Sequence, residues 1–287
     1  MTFVTKPDIF IVGGPKCGTT SLSEWLGNFP TVELSNPKET HFLSPDVGRL
    51  PNIQNELDYS RCWSNTKTLK CESSVFYAFS EVAMDEIKKR NPDAKIIFMI
   101  RHPVKMAFSL YLQEKWSMHE TSQSFEEAWS KQQERRNRCK GINSPWPSVL
   151  QYKQVCSLGS QLQKIQKLFR KENICVISLE ELIADPKSVM GKVTKFLQLN
   201  EVTFEIPKLQ EKKQFKSFAI RKLESVFFKL KNYKYFPTPG TGIMKNLFTK
   251  NRQKPTETLS PAMASLVKKD LLFEIELLNV LAGTDYK

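Results

Sequence analysis

Long apolar runs are missing from this 287-residue chain. No stretch of 18 or more apolar residues occurs, which excludes an ordinary membrane-spanning helix. Histidine is scarce, with three in all, and none of the six cysteines forms a C-x-x-C pair. No metal-ligand spacing results. Cys17, Cys62, Cys71, Cys139, Cys156 and Cys175 therefore read as reduced thiols of a cytoplasmic protein. The first residues, "MTFVTKPDIF", lack a basic segment leading into an apolar one, so a secretory signal is not expected. Internal repeats and low-complexity tracts are also absent.

Positive charge is plentiful. The formal net charge is +13. Between Glu205 and Lys254 stand 13 Lys or Arg against 3 Asp or Glu, a local net of +10. Such a block attracts nucleic acid, an anionic membrane, or a sulfated or phosphorylated ligand. A solvated surface is the plain alternative. Within it, "SFAIRKLESVFFKLKNYKYF" places Ile220, Leu223 and Phe227 on one face of a possible amphipathic helix.

Strand-like and helix-like segments mostly alternate, which predicts an α/β protein with a mainly parallel sheet. Ile9–Val12 reads as a buried strand, and a short one is expected at 32–34. Leu22, Trp25, Leu26 and Phe29 follow helical spacing. A helix over 81–89 precedes "AKIIFMI", the strongest strand pattern. Pro103 then suits a first helical position, with Val104, Phe108, Tyr111 and Leu112 as an apolar stripe. A helix near 158–169, a strand at 174–177 and a helix opened by Pro186 come next. One long helix is expected from about Pro261 to Leu281. The stretches 117–148 and 204–254 do not fit this alternation and read as insertions or lids.

"IFIVGGPKCGTTSLSEWL" runs from a strand through a glycine-rich turn into a helix. Backbone N–H groups at a helix N-terminus, reinforced by the helix dipole, form an anion site. An ATP-type loop reads G-x-x-x-x-G-K-[ST]. Gly13 and Gly18 match that spacing, but Thr19 occupies the lysine position and the lysine has moved to Lys16. After "IIFMI" stands Arg101, where an NTPase places a magnesium-binding acid. The site supplies positive charge directly and calls for no metal.

These residues resemble the sulfotransferases that use PAPS (3′-phosphoadenosine 5′-phosphosulfate). "GGPKCGTTSL" looks like their 5′-phosphosulfate loop, and "IIFMIRHPVKMAFSLY" like their 3′-phosphate strand and helix. "NPKETHFLS" is similar to the Lys-Glu-x-x-Phe element of the carbohydrate branch. "VISLEELIADPKSVMGKVTKFLQL" resembles a later strand, acidic turn and helix. The resemblance implies one P-loop-like, three-layer α/β domain over 1–287, with insertions near 117–148 and 204–254. It assigns PAPS, and the desulfated product PAP, to Lys16, Cys17, Gly18, Thr19, Thr20 and Ser21, with Arg101 and Ser109 on the 3′-phosphate. A basic loop, "FTKNRQKP", is expected to close over that phosphate through Lys250, Asn251, Arg252 or Lys254.

Sulfuryl transfer is an in-line displacement. Lys16 and the loop N–H groups can stabilise charge building on the leaving phosphate. Glu39 matches the family's base. His41 is the rival, with a pKa suited to neutral pH. On a strand-like segment both would face one side. Lys38 is placed to contact the sulfate or Glu39, and Glu72 and Ser74 of "KCESSVFY" to contact an acceptor, although Val75 stands where the family has proline.

The expected acceptor is a small molecule, a natural product or saccharide, in a protein that neither spans a membrane nor binds nucleic acid. Two other functions remain open. A nucleotide or small-molecule kinase would require magnesium-dependent ATP binding. A basic polyanion- or membrane-binding protein would explain the charge block, but not Lys16, Arg101 and Ser109 together.

Overall fold

The two most apolar runs lie side by side at the centre of a five-stranded sheet in the computed structural model. The structure describes residues 5–48, 53–64, 66–117, 119–137, 147–200 and 257–287. The strands are β1 (Ile9–Gly13), β2 (Val32–Leu34), β3 (Leu69–Glu72), β4 (Lys95–Ile100) and β5 (Ile174–Ser178). Their order is β2-β3-β1-β4-β5, and every pairing is parallel. All of β1, and β4 from Ile96 on, is buried. Strands covered on both faces read as continuous apolar runs rather than alternating ones. Their register runs Ile9↔Lys95, Phe10↔Ile96 and Ile11↔Ile97, then shifts so that Gly13 meets Phe98.

The flanking helices are α1 (Thr19–Gly27), α2 (Glu56–Ser60), α3 (Ala83–Arg90), α4 (Pro103–Trp116), α5 (Phe125–Ser130), α6 (Gln132–Asn137), α7 (Tyr152–Val155), α8 (Leu158–Leu168), α9 (Leu179–Ala184), α10 (Pro186–Leu197), α11 (Pro261–Asp270) and α12 (Leu272–Ala282). The path from β1 leads toward β2 on one side, and the path from β4 toward β5 on the other. This reversal opens a crevice at the carboxyl ends of β1 and β4, where open α/β sheets bind ligands.

Two features had no counterpart in the sequence pattern, and two expectations need correction. β3 is a strand although its polar residues, Lys70 and Glu72, break the apolar pattern. The apolar face of α4 is wider than a stripe. Met106, Ala107 and Leu110 are buried while Phe108 and Leu112 are only partly so, because α4 packs against α5, α7 and α11 as well. Helix α5, within the stretch read as an insertion, contributes Phe125, Ala128 and Trp129 to the core. Finally, the expected C-terminal helix is broken at Leu271, which is fully buried. There Asp270 accepts a hydrogen bond from Trp129 Nε1 at 2.9 Å. The basic segment 204–254 lies outside the described residues.

Candidate active site

The glycine-rich turn leaves β1 at the crevice. The Gly14 N–H donates to the Met99 carbonyl and the Ala78 N–H to that of Val12. Lys16 (φ 65°) and Gly18 (φ 88°) both take left-handed backbone conformations. For lysine this is uncommon, and such strain gathers at functional sites. Gly18 is the N-cap of α1 and gives it no side-chain cap. The first N–H groups of a helix have no partner within it, so this end is suited to an anion. Thr20 is half-buried there, while Thr19 and Ser21 are buried.

Residues from β4 and α4 brace the turn. Arg101 Nη1 donates to the Lys16 carbonyl at 3.3 Å. Lys16 Nζ donates to Gln113 Oε1 at 3.0 Å. Ser109 is half-buried and lies one helical step before Gln113, so the two share a face of α4. Arg101 and Lys16 thus meet at the crevice, and Ser109 lies on the face of α4 that carries Gln113.

Cys17 behaves differently from its neighbours. Its thiol is buried beside Met106 Sδ at 3.8 Å, and its N–H donates to the Gly14 carbonyl. Burial pushes the thiol up to about 12, against the opposing charge of Arg101. Cys17 packs the turn rather than presenting a group to a ligand. The described cysteines are buried, free thiols.

At the far side of the same sheet edge, the chain after β2 carries Lys38, Glu39 and His41. The Ser35 N–H is held by the Cys71 carbonyl, and the Ser35 hydroxyl donates to the Lys38 carbonyl at 2.8 Å. This segment is not strand-like, because His41 adopts φ 50°. Residues 39 and 41 nevertheless meet. His41 Nε2 donates to Glu39 Oε2 at 3.2 Å, and Lys38 Nζ to Oε1 at 3.0 Å. Glu39 is 34% exposed and His41 only 1%. Partial burial opposes ionisation of Glu39, but the His41 hydrogen bond and the charge of Lys38 outweigh it and lower its pKa to about 2.

Glu72 and Ser74 have no accessible surface, so neither is placed to touch an acceptor. They sit in a cluster with Thr40, Tyr59 and Tyr77, all hydrogen-bonded to the Glu72 carboxylate or to its partners. Neither Gln113 nor this cluster was expected. The four-residue step from Ser109 to Gln113 could have flagged Gln113.

A cavity of about 560 Å³ opens near the end of β1, between the turn that follows His41 and α8. Asp46, Ser80, Ser160, Gln161 and Lys164 line it, with Phe79 as an aromatic wall. Among the described residues, no group of acidic, histidine or cysteine side chains is placed to hold a metal ion. No helix among them is long and apolar enough to cross a membrane. Lys250, Asn251, Arg252 and Lys254 lie outside the described residues.

A parallel sheet with a glycine-rich turn and an uncapped helix start at its reversal point defines a P-loop-like α/β protein. A family model described as a sulfotransferase domain matches residues 6–264. The chain belongs to the sulfotransferase family. It is 25% identical over 205 residues to mouse bifunctional heparan sulfate N-deacetylase/N-sulfotransferase 1, covering 67% of this chain and 22% of the relative. It is 27% identical over 199 residues to human heparan sulfate glucosamine 3-O-sulfotransferase 5, covering 67% of this chain and 54% of the relative. The chain thus spans from about a fifth to about half of these relatives. A sulfotransferase crystal structure from Alicyclobacillus acidocaldarius superposes with a TM-score of 0.62 at 30% identity, over 79% of this chain and 93% of that one. Mouse sulfotransferase SULT7A1 complexed with PAP shares the fold, with a TM-score of 0.52 at 16% identity, over 97% of this chain and 87% of that one.

Proposed function

We propose that this chain transfers a sulfuryl group from PAPS to a hydroxyl or amine of a small-molecule acceptor, either a natural product or a saccharide. The observation that carries the reading is the bond from the Arg101 guanidinium to the Lys16 backbone carbonyl, which ties the strand end that carries Arg101 to the glycine-rich turn at the crevice between β1 and β4. With Thr19 in the usual lysine position and Arg101 after β4, the site favours PAPS over a magnesium nucleotide.

The donor set fits PAPS chemically. The start of α1, with Thr19, Thr20 and Ser21, suits the 5′-phosphosulfate, and Arg101 with Ser109 the 3′-phosphate. PAPS supplies the transferable sulfuryl group and a phosphate leaving group. Lys16 offers its ammonium to the charge that develops there. Glu39 takes the acceptor's proton on its carboxylate, since it faces solvent while His41 is buried behind it. His41 orients that carboxylate through Oε2. A carboxylate held near 2 is a weak base, and Lys38 contributes to holding it there. An anionic group arriving beside Lys38 competes for its ammonium, and loss of that ion pair makes Glu39 more basic.

Calorimetry with PAP, with and without EDTA, tests the donor half. Tight binding that survives EDTA and exceeds that of ATP is expected. Binding that collapses in EDTA, or that prefers ATP, would move the assignment to a kinase. Labelled PAPS with a panel of saccharides and phenolic or amine natural products tests the acceptor half.

A further inference from the structure

Glu72 ends β3 and is fully buried. A buried carboxylate is unfavourable unless its oxygens are well hydrogen-bonded. Here the partners are four hydroxyls. Thr40 Oγ1, Tyr77 OH and Ser74 Oγ donate to Oε1, with Ser74 at 2.9 Å, and Tyr59 OH donates to Oε2. Burial and the Glu72 charge both raise the pKa of the two tyrosines well above the usual value, so their hydroxyls remain donors.

A hydroxyl that gives its proton to Glu72 keeps its lone pairs for other donors. Three of these hydroxyls use them on consecutive backbone amides. Ser74 Oγ accepts the His41 N–H at 3.1 Å, Thr40 Oγ1 the Phe42 N–H at 3.3 Å, and Tyr77 OH the Leu43 N–H at 3.2 Å. One buried anion therefore sets the direction of three hydroxyls, and these grip residues 41, 42 and 43. The grip falls where the backbone is strained, since His41 holds φ 50°. A non-glycine residue stays in that region only when its surroundings over-determine it. That conformation is the one that brings the His41 imidazole back to Glu39.

We infer that Glu72 is a positioning residue, which through Ser74, Thr40 and Tyr77 locks the 41–43 turn and so aligns His41 and Glu39 for proton transfer. The inference rests on the proposed role of Glu39 as base. Glu72 touches neither donor nor acceptor. It acts on the part of the site carried by β2 and β3, away from the Arg101–Lys16 brace. An amide at position 72 would bring N–H donors to hydroxyls that must themselves donate, and at least one hydroxyl would turn and release its backbone amide.

The test pairs NMR amide exchange with kinetics and PAP calorimetry. Glu72→Gln should speed exchange at residues 41, 42 and 43 together, and Ser74→Ala at His41 alone. Turnover in Glu72→Gln should fall about ten- to a hundredfold, as for other residues that orient a reacting group, with PAP affinity unchanged. Thr40→Val should lose turnover and Thr40→Ser, which keeps the hydroxyl, restore it. If Glu72→Gln does not fold, Ser74→Ala and the two Thr40 variants carry the test. Unchanged exchange at 41–43, or a loss of PAP affinity matching the loss of turnover, would overturn the inference. Glu39→Gln run in parallel separates the two ideas. If it keeps full turnover, the base assignment fails, while the exchange data still decide whether Glu72 holds the turn.

Discussion

Arg101→Ala separates a contact seen in the structure from one proposed for the same side chain. Arg101 donates to the Lys16 carbonyl at 3.3 Å and, in the proposed reading, also contacts the 3′-phosphate. The first bond is long for its type, so its loss is expected to cost at most about 1 kcal/mol. Loss of a charge-assisted contact to phosphate costs roughly 1.5–3 kcal/mol. PAP carries the 3′-phosphate and should lose both terms. Adenosine 5′-phosphosulfate lacks that phosphate and should lose only the first. The preference for the 3′-phosphorylated ligand should thus collapse by roughly ten- to a hundredfold, while the second ligand weakens no more than about fivefold. Calorimetry with both ligands measures this directly. Arg101→Lys is the informative companion, because it keeps the charge and loses the planar fork, so it should recover only part of the difference. Equal weakening of both ligands would refute the reasoning, for Arg101 would then act only by bracing the turn.

The base assignment predicts that Glu39→Gln retains PAP affinity while turnover falls about 10²- to 10⁴-fold, and that His41→Ala falls less. The reverse ranking would transfer the base to His41. Glu39 also predicts an acid-dependent stability. Its pKa is lowered on folding from 4.5 to about 2, so the stabilisation is full above 4.5 and fades as pH falls toward 2. Thermal melts should show the gap between the native protein and Glu39→Gln narrowing from pH 5 to pH 2.5, and a gap independent of pH would rule out the Lys38–Glu39–His41 clamp as its source. Gly18→Ala places a Cβ at φ 88° and 2.9 Å from Leu179 Cδ1. The left-handed conformation alone costs roughly 1–2 kcal/mol, and each kcal/mol lowers Tm by about 2–4 °C in a protein of this size. A melt unchanged by this substitution would contradict the conformation of the turn.

The parts legible in the sequence are those with local causes. β1 and β4 were readable because strands buried on both faces must be apolar throughout. The turn was readable because glycine spacing and a displaced lysine carry their own chemistry. β3 was not, since Glu72 and Lys70 interrupt any apolar pattern, and what makes Glu72 tolerable there are hydroxyls from residues 40, 59, 74 and 77. No window of neighbouring residues contains that set. The break at Leu271 lies beside a hydrogen bond between Trp129 and Asp270, 141 residues apart, which no local pattern announces. Glu39 and His41 were expected together for a reason that does not hold. Strand alternation was to place them on one side, but a left-handed residue does so instead.

The register of the sheet has a consequence for how such a protein can change. The brace of Arg101 and Lys16 belongs to β1 and β4, whereas the Lys38–Glu39–His41 clamp hangs from β2 and β3. Between these halves β1 and β3 share only the pairs Ile9↔Cys71 and Phe10↔Glu72. On the proposed reading, donor handling rests on β1 and β4 and proton abstraction on β2 and β3, joined by this short pairing and by the Ala78 N–H bond to the Val12 carbonyl. On that reading, substitutions around the Lys38–Glu39–His41 clamp are expected to leave PAP affinity unchanged. A laboratory selection for new acceptors would, on that reading, do best to leave the β1–β4 half untouched.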